Sequence, residues 1–585
     1  MKCPRTKCSA LASPSPGIAA AEAALLRAAD RPDAGSRFRP HAVSRALTAA
    51  PQLSDEQRSA VAAVTGPEAG GVSVLEAGAG TGKTVTANVI VAAAQASGLT
   101  VVGLAPSWAA AVELGRSTGI ETFAIAKWRH DLEHGRIPAL DADTVLLCDE
   151  AGMVGTKDLA FVLAAVAAAP GGGARAILLG DRRQLAAVSG GSALRAVVDV
   201  LGRHATLTEV RRQEVPWQRA ASVLMARGDV EAGLRAYARH ERIEFVSGAT
   251  AAQDRAIALW TAARASYGNT EVLMVTRRNR DAASLNAAAR AVLRAEGILA
   301  GAEVDVVARD RENKAGALTL ARGDRIRFGE GIQRQGIRNG TRATVVSIGP
   351  DGEDVLRLRV RLEDGRVVED AYASFVRAPI PGARRREMLP RISHAYAGTA
   401  YSVQGRTAAS CVYYGATRSD ARELYVGLTR HRQDAWLVVE RERLEATVRA
   451  RGSDPRGKPS TSELTERLFV EARRYAEKVN VVDHVEDRET FVRTGMIRPH
   501  RSETTIDITR GFEAGRALRA ALQEIQAAPR LALWHLTHLF QGAERIIAQG
   551  FAQLVEALRL PPLPRRERES DGSRTTDRSN SGYER

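Results

Sequence analysis

One glycine-rich stretch, Leu75-Glu-Ala-Gly-Ala-Gly-Thr-Gly-Lys-Thr84, constrains the fold of this 585-residue chain most strongly. The apolar run at residues 72–75 predicts a strand in front of it, and a helix is expected to begin near Thr84. Glycine lets backbone N–H groups converge on a phosphate, and the N-terminus of a helix adds its positive dipole end. We therefore predict a phosphate-binding loop made by Gly78, Ala79, Gly80, Thr81, Gly82, Lys83 and Thr84.

In such a loop, the lysine reaches the β and γ phosphates of a nucleotide, and the hydroxyl after it ligates Mg²⁺. These roles are predicted for Lys83 and Thr84. The usual first glycine is Ala77 here, a small residue that the turn can hold. The alternative is a turn without a ligand. However, the chain has only eight lysines against 75 arginines, so composition alone does not account for a lysine at this position.

An acidic pair follows the loop by about 65 residues, where the apolar run at residues 145–148 ends in Asp149-Glu150. We predict that Asp149 holds the Mg²⁺ shell and that Glu150 orients and deprotonates the attacking water. The alternative is an exposed acidic pair at the end of a strand. ATP and Mg²⁺ are thus the predicted ligands, although transporters, motors and switches share these two motifs.

Apolar runs alternate with Ala-rich amphipathic segments in two parts of the chain, which predicts α/β domains with parallel sheets. Between the later runs, short β-rich stretches are separated by Asn339-Gly340, Asp351-Gly352 and Asp364-Gly365, which favour hairpins and an all-β insertion. The predicted domains are a linker-like extension (1–50), a first α/β domain (51–205), a second one (206–317 and 377–445), the β insertion (318–376), a helical region (446–560) and a disordered tail (561–585).

The formal net charge is +15, which favours a polyanionic partner, although the arginine content could also reflect a GC-rich genome. No apolar run reaches about 18 residues, so no membrane insertion is expected. Only four cysteines occur, too few for a disulfide framework, which favours the reducing cytoplasm.

The motifs, in their order over residues 53–440, resemble those of superfamily 1 DNA helicases. The resemblance is closest to the RecD-like branch, which includes the helicase part of conjugative relaxase–helicases. The matching stretches are 53–57, 77–84, 103–107, 149–153, 180–185, 212–213, 394–405 and 424–430. The resemblance implies two RecA-like domains with ATP between them and an SH3-like β insertion. It also implies that Gln57 reads adenine and that Gln184, Arg212 and Arg430 read the γ-phosphate.

Three groups of residues are predicted to bind DNA. The first follows the motif at 103–107 and comprises Pro106, Ser107 and Trp108, where Trp108 either stacks on a base or belongs to the core. The second, implied by the resemblance, is Thr399 and Gln404; Tyr401-Ser402 stands where the family commonly has His-Lys. The third alternates along residues 355–362, which places Arg357, Arg359 and Arg361 on one strand face, either against phosphates or in solvent.

The resemblance implies an ATP-dependent DNA helicase or translocase that moves 5′→3′ in conjugative DNA processing. Expected partners are single-stranded and tailed duplex DNA and a separate relaxase or other conjugation proteins. Conjugative relaxases use three histidines and a tyrosine, whereas the sequence before Gln57 has only His41 and no tyrosine, so nicking is not expected. A RecD-like repair helicase, a DNA-loading ATPase that does not unwind and a decayed relaxase fragment are the alternatives.

Overall fold

A computed structural model describes residues 16–31, 37–171, 173–187, 190–310, 312–352, 355–377, 389–450, 458–475, 478–485 and 487–495. All of these belong to one compact unit. The part of the predicted helical region beyond residue 495, and the predicted tail at 561–585, lie outside the described residues. Within the described residues, no helix is both long enough and apolar enough to cross a membrane.

The first α/β domain is a six-stranded parallel sheet with the order β3-β2-β4-β5-β1-β6. Its central strands read as continuous apolar runs because helices cover both faces, and β4 and β5 are buried along their whole length. Its elements are α1 (Pro16–Ala29), α2 (Pro40–Thr48), α3 (Asp55–Thr65), β1 (Val72–Ala77), α4 (Lys83–Ala96), β2 (Thr100–Ala105), α5 (Trp108–Thr118), β3 (Glu121–Ala124), α6 (Ile125–Glu133), β4 (Thr144–Cys148), α7 (Thr156–Ala168), β5 (Arg175–Gly180), α8 (Ala193–Leu201) and β6 (Ala205–Leu207).

The prediction of a linker over residues 1–50 is wrong for the described part of that segment. Helix α1 packs against α7, and its Leu25 and Leu26 have no exposed surface. Leu25 belongs to the core of the first sheet, whereas Leu26 belongs to a separate small core with Phe491. The Ala- and Arg-rich composition suggested a linker, but the apolar face of the helix is wide enough to be buried.

The second α/β domain is a five-stranded parallel sheet with the order β16-β8-β17-β18-β7. Two buried strands, β8 and β17, lie side by side within it. Because they run parallel, their carboxyl ends meet at the same edge of the sheet. Before the β region, its elements are α9 (Pro216–Ala226), α10 (Val230–Arg239), β7 (Ile243–Val246), α11 (Ala249–Tyr267), β8 (Val272–Thr276) and α12 (Asn279–Ala295).

The β region interrupts this domain and is larger than predicted. It begins with a hairpin, β9 (Ala300–Arg309) and β10 (Ala315–Arg322), whose first strand precedes the predicted start at 318 and whose second strand runs across it. An antiparallel sheet follows with the order β14-β13-β12-β11-β15, formed by β11 (Arg325–Phe328), β12 (Arg342–Pro350), β13 (Leu356–Leu362), β14 (Val367–Ala371) and β15 (Ile392–His394). Strand β15 was assigned to the second α/β domain from the sequence, because three residues carry too little pattern to show a partner.

After the β region, the chain returns to the second sheet and then continues as helices. The returning elements are β16 (Ala397–Thr399), α13 (Ala400–Val403), β17 (Ala408–Gly415), α14 (Ala421–Leu428) and β18 (His431–Glu440). The helices α15 (Arg441–Arg449), α16 (Thr461–Ala472) and α17 (Arg488–Thr494) follow within the described residues. Leu464 and Leu468 of α16 join the core of the second domain, so this helix is part of the folded body.

Candidate functional site

The glycine-rich loop joins β1 to α4 as the sequence predicts. Gly80 and Gly82 have φ angles of 81° and 83°, in the left-handed region that favours glycine. A Cβ on Gly80 would lie 2.6 Å from the Cβ of Arg212, and one on Gly82 would lie 2.2 Å from Nε2 of Gln57. Any larger residue would therefore close the loop at both places.

The rest of the loop completes a cradle at the start of α4. Thr81 Oγ1 donates to the carbonyl of Gly78 at 2.9 Å, which closes the turn. Lys83 is the first residue of α4, and Thr84 is exposed in the first turn of that helix. The helix N-terminus thus faces the loop, as anion binding requires.

Lys83 meets the acidic pair, which follows β4 directly. Its Nζ lies 2.7 Å from Oδ1 of Asp149 and 3.1 Å from Oε1 of Glu150. Glu150 has a φ of 50°, one of three positive values among the described non-glycine residues. A strained backbone at such a position is typical of functional sites, and here it turns the glutamate carboxylate toward Lys83.

The charges of these three groups depend on each other. Burial disfavours the Lys83 ammonium, but the two carboxylates outweigh burial and raise the pKa of Lys83. Burial also opposes ionisation of Glu150, yet Lys83, Arg430 and Gln404 outweigh it and lower its pKa. Burial raises the pKa of Asp149. Glu150 is therefore the carboxylate that these neighbours keep ionised.

Residues of the second α/β domain reach the acidic pair across the cleft. Arg430, only 2% exposed, lies with Nη2 3.4 Å from Oε1 of Gln184. Gln184 in turn donates to Asp181 at 3.1 Å. Burial is the larger cause and repulsion by Arg430 the next, and together they lower the pKa of Arg212 to about 9. The two guanidinium groups therefore lie close enough to repel each other. Arg212 Nη1 donates to the Thr429 carbonyl at 2.9 Å.

Gln404 lies in this cleft, although the sequence analysis assigned it to DNA. Its Nε2 is 3.3 Å from Oε2 of Glu150 and 3.4 Å from Oε1 of Gln184. These contacts join Gln404 to the acidic pair, and its contact with DNA stays a prediction. Thr399, its predicted companion, is 7% exposed and lies at the start of α13.

Gln57 of α3 contacts the phosphate-binding loop directly. Its Oε1 accepts from the backbone N–H of Ser54 at 3.0 Å, and its Nε2 donates to the carbonyl of Thr81 at 3.1 Å. Both ends of the amide are thus used within the protein, and the side chain is 3% exposed. Gln57 thus supports the loop, and its role in reading adenine stays a prediction.

Two residues of α14 were missed as site residues. The Tyr425 hydroxyl accepts from the backbone N–H of Ala79 at 2.8 Å and donates to Asp181 at 2.8 Å. Arg422 Nη1 donates to the carbonyls of Arg182 and Gln184 at 2.8 and 2.7 Å. Tyr425 lies within the motif at 424–430 and Arg422 lies two residues before it, but nothing in the sequence showed that α14 would meet the loop.

The predicted DNA-binding residues lie in two separate places. Ser107 caps α5, and Trp108 begins this helix with the guanidinium of Arg338 4.5 Å from its ring centroid. Pro106 precedes them and is half-buried. The other group is Arg357, Arg359 and Arg361, which alternate with buried residues on one exposed face of β13 as predicted.

The fold and the cleft define a P-loop protein with a second α/β domain closing over the loop. Residues 52–248 match the family model of the AAA domain. The conjugal transfer protein TraA of Agrobacterium fabrum is 33% identical over 409 residues, which is 68% of this chain and 34% of the relative. The ATP-dependent RecD2 DNA helicase of Deinococcus radiodurans is 33% identical over 165 residues, 28% of this chain and 22% of the relative.

The chain is therefore a homologue of the TraA conjugal transfer proteins and of the RecD2 helicase, which confirms the resemblance drawn from the motifs. It spans about a third of the length of the TraA proteins it matches. A solved structure of Pif1 helicase from Bacteroides with ADP-AlF3 and single-stranded DNA is 17% identical. That match covers 67% of this chain and 94% of the other, with a TM-score of 0.42.

Proposed function

We propose that this chain is an ATP-dependent DNA helicase or translocase. The observation that carries the proposal is the continuous set of polar contacts from Lys83 through Glu150 to Gln404 and from Gln184 to Arg430. This set joins the loop of one α/β domain to the other domain. Hydrolysis at the loop can therefore change how the two domains meet, which is what a motor requires.

The residues around the loop suit the chemistry of phosphoryl transfer. The loop N–H groups and Lys83 bind the phosphates, Glu150 orients the water and takes its proton, and Arg212 and Arg430 neutralise the developing charge. The side-chain amides of Gln184 and Gln404 fix the positions of Glu150 and the arginines. Each of these side chains is buried or half-buried, so the reaction takes place with little bulk water.

Mg²⁺ fits the residues at this site. A hydroxyl on Thr84 and a carboxylate on Asp149 are the hard oxygen ligands that Mg²⁺ prefers, and one or two protein ligands suffice when phosphates supply others. When bound, the ion neutralises phosphate charge. The Lys83–Asp149 contact of 2.7 Å supports this placement, because the lysine proposed to bind the phosphates lies beside the carboxylate proposed to hold the ion.

The homologues and the motifs support a proposal for the substrate and the direction of movement. We propose two RecA-like domains at 51–205 and at 206–317 with 377–445, and an SH3-like fold for the β region. Single-stranded DNA is the track, movement is 5′→3′, and the setting is conjugative transfer with a relaxase or other transfer proteins. The cytoplasmic location stays a prediction.

The test is strand separation of DNA with single-stranded tails of defined polarity. We expect ATPase activity that single-stranded DNA stimulates, and unwinding of 5′-tailed duplexes but not of blunt or 3′-tailed ones. A preference for 3′ tails would contradict the direction. DNA-stimulated hydrolysis without separation on any tail would instead favour a DNA-loading ATPase.

A further inference from the structure

The segment that connects β6 to α9 is held first by one α/β domain and then by the other. Thr208 and Glu209 are attached to the first domain, because the Glu56 carboxylate accepts from their N–H groups at 2.7 and 2.9 Å. Arg211 is attached to the same domain, since its N–H donates to the carbonyl of Gly80 at 2.8 Å. The first half of the segment therefore lies on the side of the phosphate-binding loop.

The residues that follow are attached to the second domain. Arg212 Nη1 donates to the Thr429 carbonyl at 2.9 Å, and the N–H of Glu214 donates to the Arg432 carbonyl at 2.9 Å. The chain thus crosses between the domains immediately before Arg212. A Cβ on Gly80 would lie 2.6 Å from the Cβ of Arg212, so this crossing point lies directly against the phosphate-binding loop.

Gln213 is the residue that joins this segment to the backbone around Arg430. It has no exposed surface, and its Nε2 donates to the carbonyl of Thr429 at 3.3 Å and to that of His431 at 3.0 Å. Two carbonyls accept from this end of the amide, so it must be the nitrogen end. Thr429 and His431 are the two neighbours of Arg430 in the chain. One side chain therefore fixes the backbone on both sides of the arginine.

The position of this backbone determines where the Arg430 guanidinium lies. Its Nε donates to the Val426 carbonyl of α14 at 2.8 Å, and the carbonyl of Arg430 itself accepts from the N–H of Ala408 at 3.0 Å. Only then does Nη2 reach into the cleft, where Oε1 of Gln184 lies 3.4 Å away. A shift of the backbone at 429–431 would therefore move the guanidinium relative to the cleft.

The two buried arginines also need something to hold them near each other. Burial lowers the pKa of both Arg212 and Arg430, and repulsion by Arg430 lowers that of Arg212 further. The hydrogen bonds that Arg212 and Gln213 donate to Thr429 keep the two guanidinium groups on one piece of backbone despite this repulsion. Oε1 of Gln213 is buried and has no hydrogen-bond partner among the described residues, which costs stability. The placement of Arg430 explains this residue better than stability does.

We propose that Gln213 is a positioning residue for ATP hydrolysis, which fixes Arg430 by holding the backbone on both sides of it. This inference rests on the proposed function, in which Arg430 neutralises the charge that develops on the transferred phosphoryl group. Gln213 donates to backbone carbonyls and acts only through the arginine that they flank. Its loss should therefore affect the transition state and leave the binding of the nucleotide itself nearly unchanged.

The test compares Gln213→Met, Arg430→Ala, the double variant and Gln95→Met. Methionine is about as long as glutamine and removes both hydrogen bonds. Gln95 is exposed on α4, so its substitution controls for the change of residue type. Turnover of ATP is measured with Mg²⁺ and single-stranded DNA. Binding of a fluorescent ADP analogue is measured with and without aluminium fluoride, which with ADP mimics the transition state of phosphoryl transfer.

We expect Gln213→Met to lower the turnover number about tenfold or more and to keep KM for ATP within about twofold of the wild type. The gain in ADP affinity that aluminium fluoride produces should fall by a similar factor. In the Arg430→Ala background, the Gln213 substitution should change this gain by less than about twofold, because a residue that acts through Arg430 has no further effect without it. Gln95→Met should match the wild type.

Three results would overturn the inference. Normal turnover in Gln213→Met would show that its hydrogen bonds do not matter for hydrolysis. An equal loss of ADP affinity with and without aluminium fluoride would make Gln213 a support of the fold alone. A further loss of the gain in the double variant would show that Gln213 acts independently of Arg430.

A second variant covers a failure of Gln213→Met to fold. Gln213→Asn keeps a polar amide but is too short to reach both carbonyls, so the same loss of turnover and of the aluminium fluoride gain is expected. Normal values in this variant would contradict the inference as well. If the wild type itself shows no DNA-stimulated ATPase, the proposed function fails instead.

Discussion

Glu150 is held on three sides, by Lys83, by Gln404 and by its own left-handed backbone. We expect Glu150→Gln to retain nucleotide binding and to lose turnover by at least about a hundredfold, since it removes the proton acceptor and keeps the shape. Lys83→Ala should abolish hydrolysis and also lower the melting temperature, because it leaves two carboxylates without their partner. ATPase rates and binding of a fluorescent ATP analogue test both. Normal turnover in Glu150→Gln under saturating ATP and DNA would show that another group is the base.

Substitution of Gln404 can distinguish a role in ATP hydrolysis from a role in DNA binding, which the sequence alone could not do. Because its amide contacts Glu150 and Gln184, Gln404→Ala should lower the DNA-stimulated turnover number about tenfold or more. Its affinity for single-stranded DNA should stay near that of the wild type. A large loss of DNA affinity with an unchanged turnover number would restore the DNA-binding role.

The Tyr425 hydroxyl accepts a hydrogen bond from the N–H of Ala79, which belongs to the phosphate-binding loop. Phosphate must compete with this hydroxyl, so Tyr425→Phe should bind ATP roughly three- to tenfold more tightly, as expected for one hydrogen bond of about 1 kcal/mol. The nucleotide-free variant should be less stable, since Ala79 N–H and the Asp181 carboxylate both lose a partner. Weaker ATP binding would mean that the hydroxyl helps to hold the nucleotide.

The residues that sequence reasoning placed correctly are those whose partners lie in one continuous motif. The loop from Gly78 to Thr84 and the Asp149-Glu150 pair needed only a strand, a turn and a helix. The contacts of Gln57 with Thr81, of Gln404 with Glu150 and of Tyr425 with Ala79 were not predicted, because these partners come from other elements. Side-chain amides and hydroxyls carry no signal of which carbonyl or carboxylate they will meet.

At the scale of elements, the sequence predicted where the strands of the α/β parts lie, but not which elements pack against or pair with one another. The short apolar runs at residues 72–75, 100–104, 144–147, 176–179, 272–275, 409–414 and 435–439 lie in strands, since burial on both faces leaves a continuous pattern. The hairpin β9–β10 was missed because many of its residues are exposed and polar or small. Helix α1 was predicted to be part of a linker, because its Ala- and Arg-rich composition does not show that the apolar face of the helix is buried.

Helix α1 offers a direct test of that correction. Leu26 has no exposed surface and packs in the small core with Ala196, Val481 and Phe491. Leu26→Ala should cost about 2–5 kcal/mol of local stability and lower the midpoint of urea unfolding. Val112→Ala, at an exposed position on α5, is the control and should change it little. Equal midpoints in both variants would show that α1 does not contribute to the folded body.

At the scale of the whole molecule, the chain crosses from one α/β domain back to the other. Residues 458–475, 478–485 and 487–495, here called the C-terminal strap, begin with α16 on the second domain. They then return to the first domain, where Asn480 donates to the Ser192 carbonyl at 3.2 Å and Arg195 pairs with Asp483. The strap thus spans both domains that a nucleotide would draw together, and it limits how far they can separate.

Glu22 is the residue on which the far end of the strap depends. It is 1% exposed, and its carboxylate accepts from the N–H groups of Val481 and Val482 at 3.0 and 2.7 Å. Glu22→Ala leaves both donors buried without an acceptor, at a cost of about 1–3 kcal/mol each. We expect the amides of residues 478–485 and 487–494 to exchange hydrogen at least tenfold faster, while those of α16 keep their protection. Glu466→Ala, an exposed position on α16, should leave both segments unchanged. Unaltered exchange at Val481 and Val482 would show that the apolar contacts of Phe491 alone hold the strap, and that the α1 carboxylate is dispensable.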